Sequence, residues 1–226
     1  DRCKNSGHSA GRKGWCRVRL YERYRPRCLA DVVGHKAAVN HLKTVAAERR
    51  PGQCVLLEGG PGVGKMTNAL AFAAELGCDH QFSGLWVCPC SDLGVDDTKE
   101  LFGGRAHTGW LKIRPLENAS GWNVLILEEF EWLSPQTQRF LKTALDVTQP
   151  GYPPRLAVVA TSNSVAKIDK ALLQRFMPFM YGSSEHFRDQ CRERLALIWG
   201  QETDGEPLPA GWTAWGMTRE AMVEGC

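Results

Sequence analysis

No uninterrupted apolar run in this sequence approaches the roughly 20 residues that a membrane-spanning helix needs, so it predicts no membrane partner. Its start, "DRCKNSGHSAGRKGWCRVRL", carries charge but no apolar h-region, which argues against a secretory signal. Internal repeats and low-complexity tracts are absent, which excludes a solenoid or a long linker. Net charge is only +3, too small to indicate nucleic acid by itself. The nine cysteines are odd in number and scattered, with no export signal before them. That pattern excludes a disulfide framework and predicts free thiols in a reducing compartment, cytoplasmic or nuclear.

What the chain does contain is ordinary globular material: 226 residues, 43% hydrophobic and 23% charged, enough for one or two domains. Its charge is unevenly placed. Arg2, Lys4, Arg12, Lys13, Arg17, Arg19, Arg23, Arg25 and Arg27 crowd the start against only Asp1 and Glu22. Two readings stand: a solvated basic arm, or a patch facing nucleic acid. Eight tryptophans are dispersed without a stacking register, which suits packing.

Periodicity divides the rest. Residues 35–49 put Ala38, Val39, Leu42, Val45 and Ala46 on one helical face, and Pro51-Gly52 ends that helix. "CVLLEG" (54–59), "NVLILEE" (123–129) and "RLAVVATSN" (155–163) are short apolar runs of the kind found in parallel strands buried on both faces. "LWVCP" (85–89) and "FMYG" (179–182) predict a second strand and an edge strand. Helices are expected at 67–77, 95–102, 134–147 and 170–176, the third with Ser134 as cap and Pro135 at its first position. From Ser184 the pattern is helical. The fold class is therefore α/β, a parallel sheet flanked by helices and followed by a small all-helical domain. The expected organisation is a tail over 1–20, an α/β domain over 21–182 and a helical domain over 183–226.

"GGPGVGKMT" (59–67) follows a strand and opens a helix, as a phosphate-binding loop must. Gly59, Gly60, Pro61, Gly62, Val63 and Gly64 let backbone amides approach an anion at a helix N-terminus. Lys65 supplies a point charge for the β and γ phosphates. "VLILEEFEWLS" resembles a Walker B strand, ending in two acids at the edge of the sheet where ligands bind. Glu128 is placed to hold Mg²⁺, directly or through water, although it is one methylene longer than the usual Asp. Glu129 is placed to orient the attacking water. Asn163, ending the next core strand, is the candidate sensor 1, its amide near the γ-phosphate or the water; capping the following turn is its other reading. Arg175, after the short helix beyond, is a candidate finger for a neighbouring subunit's site, with a surface ion pair as the alternative.

These motifs sit within a longer resemblance. "YERYRPRCLADVVGHKAAVNHL" is similar to the opening box of DNA clamp-loader ATPases of the AAA+ superfamily, Y-R-P-x-x-L-x-D-V-V-G, matching at Tyr24, Arg25, Pro26, Leu29, Asp31, Val32, Val33 and Gly34. "SDLGVDDTKEL", "PQTQRFLKTALD" and "TSNSVAKIDKALLQRF" resemble later segments of the same family, the replication factor C small-subunit and DNA polymerase III tau/gamma type. Its Ser-Arg-Cys box reads Gln174-Arg175-Phe176 here, keeping the arginine and neither flank. "GMTREAM" is similar to the lid motif G-D-x-R-x-A. The resemblance runs from about Tyr21 to Met222. It implies ATP and Mg²⁺ as ligands, Val33 against the adenine, and Arg219 as sensor 2. It implies as partners other clamp-loader subunits, in a hetero- or homo-oligomer, a sliding clamp and primer–template DNA. Lys99, Arg105, Arg139 and Lys142 become candidate phosphate-backbone contacts, or plain surface charges. The family's further helical collar, the size of a small domain, has no counterpart in this sequence.

One position departs from the loop motif. Met66 stands where the family has the Ser or Thr that binds Mg²⁺. Magnesium is a hard ion that takes oxygen, and a thioether substitutes poorly. Thr67 matches a second common hydroxyl, but one helical residue turns the side chain by about 100°. The expectation is intact phosphate binding with slow hydrolysis. Cys78, Cys88 and Cys90 are spaced C-x9-C-x-C, with Cys54 and His80 as further candidates; structural zinc sites usually carry a C-x2–4-C pair, so none is expected here.

Overall fold

Strands that can be buried on both faces decide the architecture. The computed structural model describes residues 20–103, 108–209, 212–213 and 216–217. Strands β1 (Gln53–Gly59), β2 (Leu85–Pro89), β3 (Asn123–Glu128), β4 (Leu156–Ser162) and β5 (Met177–Tyr181) form one sheet in the order β2-β3-β4-β1-β5. Every neighbouring pair is parallel. The central strand β4 is buried at all seven positions, as its unbroken apolar sequence requires.

Alternate side chains feed two cores. One face of the sheet (Val55, Leu57, Val124, Ile126, Ala157, Val159) packs under helices α2 (Lys36–Glu48) and α3 (Lys65–Glu75). The apolar face of α2 is the one its periodicity predicts: Ala38, Val39, Leu42, Val45 and Ala46. The other face (Leu56, Leu125, Leu127, Leu156, Val158, Ala160) packs under α4 (Val95–Phe102), α5 (Pro135–Ala144) and α6 (Lys170–Leu173). Cys78 belongs to the first core and Cys90 to the second. Burial pushes the Cys54 and Cys78 thiols up to about 12 and Cys88 to about 11, so they are inert packing groups. Among the described residues no group of three or more His, Cys, Asp or Glu is placed to hold a metal ion, and no helix is long and apolar enough to cross a membrane.

Several boundaries differ from the sequence pattern, two of them for a clear local reason. Helix α3 begins at Lys65 rather than 67, because Gly64 takes a left-handed turn (φ 90°) that leads straight into the helix. Strand β3 stops at Glu128, because Glu129 is left-handed (φ 54°, ψ 52°). Helix α5 ends at Ala144, and α6 at Leu173. Helix α5 is capped as expected by Ser134, whose Oγ accepts from Thr137 N at 3.1 Å. Helix α7 (Glu185–Glu202) follows β5 directly, capped by Ser184. Beyond it a two-residue antiparallel ladder, β6 (Trp212–Thr213) with β7 (Gly216–Met217), is an element the sequence pattern did not suggest.

The opening segment is fastened to the far end of this arrangement. After α1 (Leu20–Arg23), Arg23 pairs with Glu202 at 2.8 Å, and the Tyr24 hydroxyl donates to the same carboxylate. His35 then stacks on Tyr181, with ring centroids 3.9 Å apart, and tilts against Phe187 of α7. Strand β5, helix α7 and the opening box are thus joined at one corner.

Candidate nucleotide site

The strand order creates the crevice. β1 leads through α3 to β2 at one edge, whereas its neighbour β4 leads through α6 to β5 at the other. Where outgoing connections part, the carboxyl ends of the strands leave an opening. A cavity of about 340 Å³ lies there, lined by residues 61–67, Glu128, Glu129 and 161–163. The loop, both Walker B acids and Asn163, far apart in sequence, are therefore brought to one place.

Gly62 (φ 76°) and Gly64 (φ 90°) adopt backbone conformations that side-chain-bearing residues rarely accept, and so let the loop curl before α3. Lys65 folds back into that curl. Its Nζ donates to Gly59 O at 2.6 Å, Gly60 O at 2.7 Å and Asn163 Oδ1 at 3.0 Å. Burial lowers its pKa, and the nearby Glu131 carboxylate opposes the shift. The backbone and the ammonium together form a cationic cradle for an anion.

Glu129 sits on a strained backbone, an arrangement that costs on the order of 1–3 kcal/mol and needs support from its surroundings. Phe130 gives that support: it is fully buried and packs on Phe176 at 5.1 Å. The result turns the chain out of β3 so that Glu128 and Glu129 both line the cavity. Met66 lines it too, while packing against the core under α2 and α3. The oxygen-bearing side chains on this wall are Glu128, Glu129, Thr67, Thr161, Ser162 and Asn163.

Other sequence candidates fall elsewhere. Val33 lines a separate cavity of about 450 Å³ between the opening box, α2 and α7. Arg175 lines a third, of about 510 Å³, and pairs with Asp146 at 3.0 Å. Lys142 shares that third cavity and reaches Asp169 at 3.8 Å, and Lys99 pairs with Asp96 at 2.7 Å. Arg105, Arg219 and the basic tail before residue 20 lie outside the described residues.

Three residues of consequence were not singled out from the sequence. Glu131 accepts from Ser162 Oγ at 2.7 Å, from Asn163 N at 3.1 Å and from Asn163 Nδ2 at 2.9 Å. Gln138, buried in α5, donates to Leu133 O (3.0 Å) and Lys167 O (3.3 Å) and accepts from Asp169 N (2.8 Å). It thereby ties the turn after β3 to the segment after β4. His35 Nε2 lies 3.0 Å from Val63 O, joining the opening box to the phosphate loop. A third acid in "LEEFE" was the visible signal for Glu131; the other two have no local signal.

Known proteins resemble this chain in sequence and in fold. Residues 55–183 match the family model described as "AAA: ATPase family associated with various cellular activities". The chain is 25% identical over 183 residues to replication factor C subunit 3 of Blastobotrys adeninivorans, covering 80% of this chain and 50% of that protein. It is 31% identical over 126 residues to a replication factor C small subunit of Methanococcus maripaludis strain C7, covering 55% and 38%. A stretch of 60 residues is 50% identical to the replication factor C large subunit of Methanocella arvoryzae, covering 26% and 11%. The chain thus spans half or less of the length of these relatives. Among solved structures it is similar to the Thermotoga maritima RuvB Holliday junction branch migration motor, with a TM-score of 0.58 and 20% identity over 80% of this chain and 55% of that one. A DNA polymerase III gamma subunit-related protein from the same organism gives 0.54 and 16%, over 71% and 52%. At such identities the likeness is one of fold.

Proposed function

Because this chain belongs to the AAA ATPase family, we propose that it binds and hydrolyses ATP as a subunit of a DNA clamp loader, which places a sliding clamp on primed DNA. The observation that carries the reading is the convergence of Lys65, Glu128, Glu129 and Asn163 on one cavity at the carboxyl edge of β1, β3 and β4. The replication factor C relatives and the opening box, Tyr24 to Gly34, support the assignment to clamp loading. Its partners would be further subunits of the same kind, the clamp and primer–template DNA. Contacts to that DNA would be sequence-independent and weaken with salt.

In this reading the loop amides and Lys65 bind the β and γ phosphates, with Lys65 exchanging the Gly59 and Gly60 carbonyls for phosphate oxygens. Glu129 orients and polarises the attacking water. The donor set suits a hard divalent ion in part. Glu128 offers a carboxylate, and Mg²⁺ would be held by it together with water and phosphate oxygens, offsetting charge on the triphosphate. Met66 offers it nothing. MgATP binding in the micromolar range or weaker, with slow but real turnover, is the expected behaviour. Arg175 completes the site from a neighbouring chain, Arg219 acts from the segment that follows α7, and Val33 contacts the base.

A second reading is favoured by Met66 alone: a subunit that binds nucleotide, lends Arg175 to a neighbour and hydrolyses nothing. ATP turnover, measured with and without clamp and primed DNA, separates the two. Turnover that rises with primed DNA and is lost in Lys65→Ala and Glu129→Gln is expected. Stimulation by four-way junctions instead of clamp and primer would point to a branch-migration motor. Wild-type turnover indistinguishable from Glu129→Gln would leave only the second reading.

A further inference from the structure

Asn163 lies between two ions. Its Nδ2 is 2.9 Å from Glu131 Oε1, and its Oδ1 is 3.0 Å from Lys65 Nζ. A carboxylate can only accept and an ammonium can only donate. One orientation of the amide therefore satisfies both, and the flipped one sets oxygen against carboxylate and NH₂ against ammonium. Glu131 grips the same residue by its backbone, accepting from Asn163 N at 3.1 and 3.2 Å, while Ser162 Oγ donates to its second oxygen at 2.7 Å. Burial works against the Glu131 charge, but the hydrogen bonds from Ser162 and Asn163 outweigh it and hold the carboxyl below its ordinary range. It is thus ionised at neutral pH, and the polarity of the contact is fixed. Glu131 itself is not among the residues lining the phosphate cavity, whereas Asn163 is.

We propose that Glu131 is a positioning residue for hydrolysis: it turns the Asn163 amide so that the carbonyl oxygen, not the NH₂, faces the phosphate cavity. This rests on the ATPase reading and deepens it. The usual expectation for an asparagine here is a donor to the γ-phosphate. Held by Glu131, the side chain is an acceptor instead. With Lys65 recruited to phosphate, Asn163 Oδ1 accepts from the attacking water. Two acceptors, Glu129 and Asn163, then take the two O–H bonds of that water and leave a lone pair directed at phosphorus. The chain Ser162–Glu131–Asn163–Lys65 also means that the lysine is held by the sensor until phosphate displaces it.

The test is a kinetic double-mutant cycle. Glu131→Ala should lower kcat by about tenfold or more while KM for ATP stays within about threefold, because Glu131 is not part of the phosphate cavity's lining. In an Asn163→Ala background, adding Glu131→Ala should change kcat by less than about twofold, since the residue through which it acts is gone. A second arm needs no turnover: the unfolding midpoint of the double variant should lie no lower than that of Glu131→Ala alone. Should Glu131→Ala not fold, Glu131→Gln is isosteric, loses one acceptor and should show the same pattern at smaller amplitude. Independent, multiplying losses in kcat, or a rise in KM that accounts for the whole defect, overturns the proposal. Absent wild-type turnover defeats the ATPase reading instead, and the melting arm then decides the Glu131–Asn163 coupling alone.

Discussion

Met66 and His35 show how single residues set the behaviour of this site. Met66 lines the phosphate cavity and leans on the core beneath α2 and α3, so it is both wall and packing. Replacing it by Thr puts a hydroxyl on this wall of the cavity at the expense of some buried apolar area. Met66→Thr should raise ATP turnover at saturating Mg²⁺ and lower the Mg²⁺ concentration needed for half-maximal rate, with ADP affinity in EDTA nearly unchanged. An unchanged Mg²⁺ requirement would show that the thioether does not limit metal binding. His35 carries a pH dependence. Burial between Tyr181 and Phe187 lowers its pKa, only partly countered by its bond to Val63 O. A lowered folded-state pKa means the unfolded chain binds the proton more readily, so stability is complete above the unfolded value, about 6.5, and falls as pH drops below it. The melting temperature should therefore decline from pH 7.5 to 5.5, and His35→Gln should flatten that slope; an equal slope in the variant rules the imidazole out as its source. Lys65, Glu128 and Glu129 were legible in the sequence because loop and strand motifs are contiguous. His35, Glu131 and Gln138 were not, because their partners lie between 28 and 32 residues away in the chain for their decisive contacts.

Elements were legible where burial leaves one choice. The runs around 54, 124 and 156 are apolar at successive positions, and a strand covered on both faces is the structure that hides them all. Their ends were read less well, because ends depend on single backbone conformations: Gly64 and Glu129 each turn left-handed and move a boundary by one or two residues. The β6–β7 ladder is two residues a side, too short for any periodicity to register. Helix α5 illustrates an element working beyond its own span. Its N-terminus is fixed by Ser134, and one turn in, Gln138 pins it to Leu133, Lys167 and Asp169. Gln138→Leu keeps helix propensity but orphans one buried and two part-buried backbone groups. Each such group left without a partner costs about 1–3 kcal/mol before water relieves it. A net loss of about 2 kcal/mol or more in urea unfolding is expected, together with slower ATP turnover, since the turn carrying Glu129 loses its brace. Near-wild-type stability would show that the junction is solvated rather than structural.

At the scale of the whole molecule, Arg175 lies apart from the phosphate cavity. It lines a cavity that shares no lining residue with the phosphate cavity, and it is held by Asp146 at 3.0 Å. Within one chain this guanidinium is not part of the phosphate cavity's lining. If it contributes to hydrolysis, it does so in a second copy or a related subunit, by a head-to-tail contact in which one surface bears the cavity and the opposite one bears Arg175. That geometry makes turnover per chain depend on protein concentration. It also allows complementation between two inactive variants. Lys65→Ala destroys the cavity but leaves Arg175; Arg175→Ala leaves the cavity and removes the finger. Where chains of this kind assemble with one another at random, an equimolar mixture pairs an intact cavity with an intact Arg175 at about a quarter of contacts. The mixture should recover turnover to about a quarter of the wild-type rate, as a finger supplied in trans is worth roughly 10³–10⁵ in rate. Dilution should abolish the recovery before it abolishes nucleotide binding. Asp146→Asn, which weakens the restraint on Arg175 without touching either cavity wall of the phosphate site, should lower the concentration at which recovery appears. A mixture as inactive as its components at every concentration would place Arg175 in its ion pair with Asp146 for structural reasons, and the finger would then have to come from a different kind of subunit.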